Sequence, residues 1–277
     1  MPIRPTVTVQ IKKVNAAGIT DAGDLLATEE PMEIRLEYTQ NGKRRTQSIS
    51  VTMRTPGHDA ELATGFLYTE GIIKSNKEIA AIRHADEQSQ NVVYVSLTAG
   101  VVPDIAGLER NFYTTSSCGV CGKASIEAVY AACPVLDTKD SLQISAGLLY
   151  TLPGLLRSRQ EVFDHTGGLH ACALFTPSGD MLLLREDVGR HNALDKLVGA
   201  AMAQAILPAA AHILLLSGRA SFELLQKAAM AGIKIVAAVG APSSLAVQMA
   251  EEWGITLAGF LRGERFNIYS GAQRIVI

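Results

Sequence analysis

An α/β fold with a mixed sheet covered by helices is predicted for the larger, C-terminal part of this 277-residue chain, behind a smaller α+β part. Two observations carry this. Beyond residue 212, short apolar runs alternate with stretches of helical spacing, a β-α-β-α-β order that implies helices packed over a sheet. Over the first hundred residues, apolar and polar residues instead alternate with period two in several runs, which suits half-buried strands. The grammar changes near residue 110, so the expected domains are 1–110 and 111–277.

The elements follow in order. Residues 7–13 and 32–38 alternate as strands, and Asn41-Gly42, a pair that tolerates positive φ, turns the second into a strand over 45–53. Thr55-Pro56-Gly57 is a break, after which 59–70 places Leu62, Phe66 and Leu67 at helical spacing. A strand covers 92–97. Further on, a loop with two cysteines leads into a helix over 124–132, stopped by Pro134. Strands over 171–176 and 181–185 flank Pro177-Ser178-Gly179-Asp180, a turn by composition. Then come helix 192–206, strand 213–216, helix 222–231, strand 234–239, helix 244–253 and strand 255–260.

Composition excludes several classes. Lys plus Arg number 25 against 27 Asp plus Glu, a balance unsuited to neutralising many nucleic-acid phosphates. With 48% hydrophobic residues the chain is too apolar for disorder, and four cysteines do not make a disulfide scaffold. Residues 198–218 lack Asp, Glu, Lys and Arg, but they hold Gln204 and His212 and are interrupted by Pro208, which argues against a lipid-facing span. The start of the chain has neither the basic end nor the apolar core of a signal peptide. A soluble, cytoplasmic protein is expected, with no membrane or nucleic-acid partner.

In open α/β sheets, ligands gather at the carboxyl ends of the strands. The segments expected there are 186–191, Ser217-Gly218-Arg219, 240–244 and Leu261-Arg262-Gly263-Glu264-Arg265. Their glycines, hydroxyls and arginines suit phosphate, and helices starting near Ser221 and Ser243 could turn free N–H groups towards an anion. Taken singly, each serine reads as a helix cap and each glycine as a turn. Four such loops on one edge favour a phosphorylated ligand.

Ser116-Ser117-Cys118-Gly119-Val120-Cys121-Gly122-Lys123 is the most informative segment. Two cysteines at this spacing can bind a metal, form a disulfide or pass sulfur. Lys123 and the helix start behind them favour thiolate, the nucleophilic form. A structural zinc site wants four ligands, and Cys133 and Cys172 stand singly, so no metal is expected. A zinc deaminase needs H-x-E and P-C-x-x-C; neither occurs. A redox pair remains the alternative. His165-Thr166-Gly167-Gly168-Leu169-His170 could position a ligand or move a proton, though any one histidine, His191 included, more often serves structure. There is no Walker A or G-x-G-x-x-G sequence.

Six segments together closely resemble the formate dehydrogenase accessory sulfurtransferase family: 65–72 (GFLYTEGI), 117–122 (SCGVCG), 165–170 (HTGGLH), 186–196 (EDVGRHNALDK), 217–221 (SGRAS) and 259–269 (GFLRGERFNIY). The resemblance implies a cytidine-deaminase-like larger domain without zinc chemistry. It implies a cytoplasmic, homodimeric sulfur carrier that takes sulfur from a cysteine desulfurase and passes it to the bis(molybdopterin guanine dinucleotide) molybdenum cofactor for formate dehydrogenase. The persulfide cysteine then maps onto Cys118 with Cys121 second, and the cofactor segment onto Phe260, Leu261, Arg262, Gly263, Glu264 and Arg265. Ser217, Arg219 and His191 join these as expected cofactor contacts. A C-x-x-C redox protein and a non-catalytic cofactor escort are the competing readings.

Overall fold

The computed structural model describes residues 4–86, 90–105, 134–138 and 140–277. Cys118, Cys121, Cys133 and the helix expected over 124–132 lie outside the described residues.

Two antiparallel strands, β1 (Thr6–Asn15) and β2 (Gly18–Ala27), form a hairpin with Val14 paired to Ile19. β1 was expected, but β2 was not: glycines and aspartates interrupt its apolar pattern. Next, β3 (Glu30–Gln40) and β4 (Lys43–Arg54) are joined as expected through Asn41 and Gly42, both at positive φ. With β5 (Ile79–His84) and β6 (Val92–Leu97) they make a four-stranded sheet ordered β4-β3-β6-β5. Helix α1 (Asp59–Thr69) covers it, burying Leu62, Ala63 and Leu67 against Ile34, Leu36, Val93 and Val95.

The larger sheet has six strands in the order β13-β12-β11-β10-β8-β9. These are β8 (His170–Phe175), β9 (Met181–Asp187), β10 (Ile213–Leu216), β11 (Ile235–Ala238), β12 (Thr256–Arg262) and β13 (Arg265–Ser270). A short pair, β7 (Ile144–Ser145) with β14 (Ile275–Val276), stands apart. β10, β11 and β12 run parallel, while β8 and β13 run antiparallel to their neighbours, so the sheet is mixed, as the alternation predicts. Its helices are α2 (Ala146–Arg157), α3 (Glu161–Thr166), α4 (Arg190–Ala203), α5 (Phe222–Met230) and α6 (Ser244–Glu252). Neither α2 nor α3 was expected; α2 carries Pro153 inside it. Helix α4 stops short of the expected residue 206, with Ala205 at positive φ just beyond it.

The runs Ile213–Leu216 and Ile235–Ala238 are wholly apolar because both sheet faces are buried. Alternate residues serve two cores. Cys172, Leu174, Leu214, Leu216 and Val236 pack under α4, α5 and α6. Ala173, Phe175, Ile213, Leu215 and Ile235 pack under Leu149, Leu152 and Leu156 of α2. No helix among the described residues is long and apolar enough to cross a membrane.

Helix α1 also crosses α4 at two glycines. A methyl at Gly65 would overlap the Asp195 carbonyl oxygen, and one at Gly199 the Glu61 carbonyl oxygen. The backbones touch because neither residue has a side chain. That contact ties the smaller sheet to the larger.

Candidate functional site: one edge of the six-stranded sheet

The strand register brings the expected loops together. His170, the first residue of β8, pairs with Asp187, the last of β9. Leu216, ending β10, pairs with Cys172 on one side and Ala238, ending β11, on the other. The segments after β9, β10 and β11 therefore share an edge with His170, and β12 and β13 rise past it. The residues expected in a loop at 261–265 are corrected here: Leu261 and Arg262 belong to β12 and Arg265 to β13, with only Gly263 and Glu264 between.

Beyond the edge the loops keep pairing. Gly240 donates its N–H to the Gly218 carbonyl (2.9 Å), Ser243 donates to Ala220 (2.9 Å) and Phe260 donates to Gly240 (3.0 Å). Side chains would block this: a methyl on Gly240 would lie 3.0 Å from the Gly218 carbonyl carbon, and one on Gly259 2.9 Å from Pro242 Cδ. Phe260 stands at φ 55, within a register shift of the β12–β13 ladder. A non-glycine residue there is strained, and such strain collects at binding sites. The irregularity turns Leu261 fully into the core and leaves Arg262, Gly263, Glu264 and Arg265 exposed, with the Arg262 guanidinium 5.8 Å from the Phe260 ring centre.

The remaining expected contacts divide. Arg219 is exposed on the edge. Ser217 extends the ladder: its hydroxyl oxygen accepts the Ala171 N–H (2.8 Å) and its own N–H donates to the Ala171 carbonyl (3.0 Å). His191 lies beneath the loops, buried, with Nε2 2.6 Å from Glu223 Oε2 and 3.4 Å from Ser221 Oγ. Ser221 thus heads α5 without capping it, whereas Ser243 caps α6 through the Ala246 N–H. The N-terminus of α4, at Gly189, also has no side-chain cap, so two helix ends present N–H groups near Arg190, His191 and Arg219. His170 is held below the ordinary imidazole range, first by burial and then by Arg190 and His191, with Asp187 opposing and Arg219 adding to the depression.

A buried network missed by the sequence reading positions these groups. Asp187, fully buried, accepts the Gly189 N–H (2.8 Å) and Asn192 Nδ2 (3.1 Å) on one oxygen. On the other it accepts the Thr55 N–H (3.1 Å) and meets Lys196 Nζ at 2.7 Å. Lys196 also donates to the Thr55 carbonyl (2.8 Å), and Asn192 to the Met53 carbonyl (2.7 Å). A second network joins Asp195, Lys227, Thr69 and Glu70. Much of EDVGRHNALDK thus holds the start of α4 against the smaller sheet. The available signal was α4 itself, whose charged residues recur on faces that its position requires to be covered.

Cys172, which stands singly in the sequence, is buried, and burial raises its pKa. Among the described residues no group of His, Cys, Asp and Glu is placed to hold a metal ion.

Three comparisons bear on this arrangement. The family model described as FdhD/NarQ family matches residues 27–276. A Streptomyces coelicolor protein named Sulfur carrier protein FdhD is 50% identical, over 99% of this chain and 97% of its own. A Mycolicibacterium paratuberculosis protein of the same name is 52% identical over 91% and 92%. In fold, the chain resembles the crystal structure of a proposed formate dehydrogenase accessory protein from Desulfotalea psychrophila, with TM-score 0.74 and 23% identity over 98% of this chain and 99% of that one.

Proposed function

Because the chain belongs to the FdhD/NarQ family, we propose that it is a sulfur carrier serving formate dehydrogenase, with the sulfur held as a persulfide on Cys118. The name shared by full-length relatives at about half identity supports the carrier role. The observation that carries the ligand side is the single edge where four segments meet, two of which bring exposed Arg219, Arg262 and Arg265.

In this reading the Cys118 thiolate attacks the outer sulfur of a cysteine desulfurase persulfide. The donor's S–S bond breaks, the donor leaves as thiolate, and the new S–S bond sits on Cys118. Lys123 favours the anionic sulfur, and Cys121 resolves any leftover persulfide by attacking the Cys118 sulfur, which expels the outer sulfur as hydrosulfide and leaves a Cys118–Cys121 disulfide. The acceptor is the bis(molybdopterin guanine dinucleotide) molybdenum cofactor, as substrate. Its diphosphates meet the arginines as bidentate donors, helped by N–H groups of α4 and α5. A cytoplasmic homodimer is the form in which we expect this to occur.

Intact-mass measurement after incubation with a cysteine desulfurase and free cysteine tests the carrier step. A gain of one sulfur atom that reductant removes and peptide mapping places on Cys118, lost in Cys118→Ala, is expected. No gain on a reduced Cys118–Cys121 pair sinks the carrier reading and leaves an escort. A Cys118–Cys121 disulfide that forms equally without the desulfurase, with no persulfide at any time, would make the pair a redox couple.

A further inference from the structure

The segment 165–170 takes no part in the function just proposed, yet its last residue stands on the ligand edge. His170 begins β8 and alternates in phase with Cys172 and Leu174, so it faces the side of the sheet that α4 and α5 cover. Its ring lies on the backbone of Gly218: a methyl there would come 3.3 Å from Nδ1 and 3.5 Å from Cε1. Charged groups reach it from every neighbouring element. Asp187 comes from the end of β9, Arg190 and His191 from the first turn of α4, and Arg219 from the segment after β10. Among the described residues at this edge, His170 is half-buried. Arg190 Nε, at the same place, is buried without a hydrogen-bond partner among them. A buried donor left in that state is costly unless something fills it.

An imidazole among two guanidinium groups resists protonation. An anion seated between those guanidiniums reverses the balance, since it offsets their charge and offers the ring an acceptor. We propose that His170 contacts the ligand at this edge, neutral in the free protein and taking up one proton from solvent when a phosphate-bearing ligand binds. This rests on the nucleotide reading of the edge. By linkage, affinity then falls as pH rises through the window between the free and bound titrations of the ring.

The experiment is calorimetry on the full chain with GDP-mannose, a diphosphate diester that has no group titrating near neutral pH. It is run in two buffers of different ionisation enthalpy. Wild-type protein takes up a large fraction of a proton on binding, and its affinity falls about three- to tenfold from about pH 6 to about pH 8. His170→Asn and His170→Gln bind without that uptake and with a flat pH profile. Uptake that persists in both variants, or wild-type binding with no uptake, overturns the proposal. A wild-type chain that does not bind GDP-mannose overturns instead the nucleotide reading, and the proposal with it. Imidazole NMR of the wild type gives a reading that needs no variant: the His170 midpoint moves up with saturating GDP-mannose, and an unmoved midpoint refutes the assignment.

Discussion

Glu61 lies on α1 facing β9, where Arg185 Nη2 donates to it at 2.7 Å and His58 Nδ1 approaches to 3.2 Å. Burial alone would raise its pKa, but Arg185 and His58 outweigh that and hold it at about 2. A depressed carboxylate adds stability that is complete above its unfolded pKa and lost as pH falls towards the folded one. Glu61→Gln should therefore narrow the stability gap between neutral pH and about pH 3 by about 1 kcal/mol, a figure kept small because solvent still reaches both partners. Urea unfolding of both proteins at the two pH values measures it, and an unchanged gap would mean the pair contributes nothing.

At the scale of elements, the α1–α4 crossing brings two helix backbones into direct contact between the two sheets' layers. Gly199→Ala pushes a methyl into the α1 backbone, where no flexible side chain can give way, and should cost about 3 kcal/mol. Equilibrium unfolding reports it; a cost under about 1 kcal/mol would show that the helices separate easily. This junction also marks where the sequence stops being readable. Strands β10 and β11 are legible because burial on both faces turns them into plain apolar runs, and the strand alternation already places the loops after them on one edge. The Asp187–Lys196 pair is not legible: its burial depends on Thr55, more than a hundred residues earlier, reaching across. Helix α2 hides behind Pro153, and β13 behind the short Gly263–Glu264 turn.

For the whole molecule, the β1–β2 hairpin contrasts with everything else. Val14 is 73% exposed and Ile19 65%, and the hairpin meets the rest of the chain near its base, where Ala27 lies by Gly168. Removing residues 1–27 should lower the unfolding free energy by less than about 1 kcal/mol, because little apolar surface is uncovered. Chemical denaturation of the shortened chain decides; a loss of several kcal/mol would assign the hairpin to the core assembly.

The Asp187 network has a consequence for synthesis. During translation, the residues around Thr55 leave the ribosome well before Asp187 and Lys196, and the β12–β13 hairpin comes after all of them. Until then the Thr55 N–H is satisfied by water, and Asp187 gains its full set of partners only once both segments are made. A nascent chain interrupted before Gly259 would hold the smaller sheet and most of the larger, yet lack the two arginines that rise past the edge. If the edge binds a ligand as proposed, that capacity arrives last, once the β12–β13 hairpin has been made.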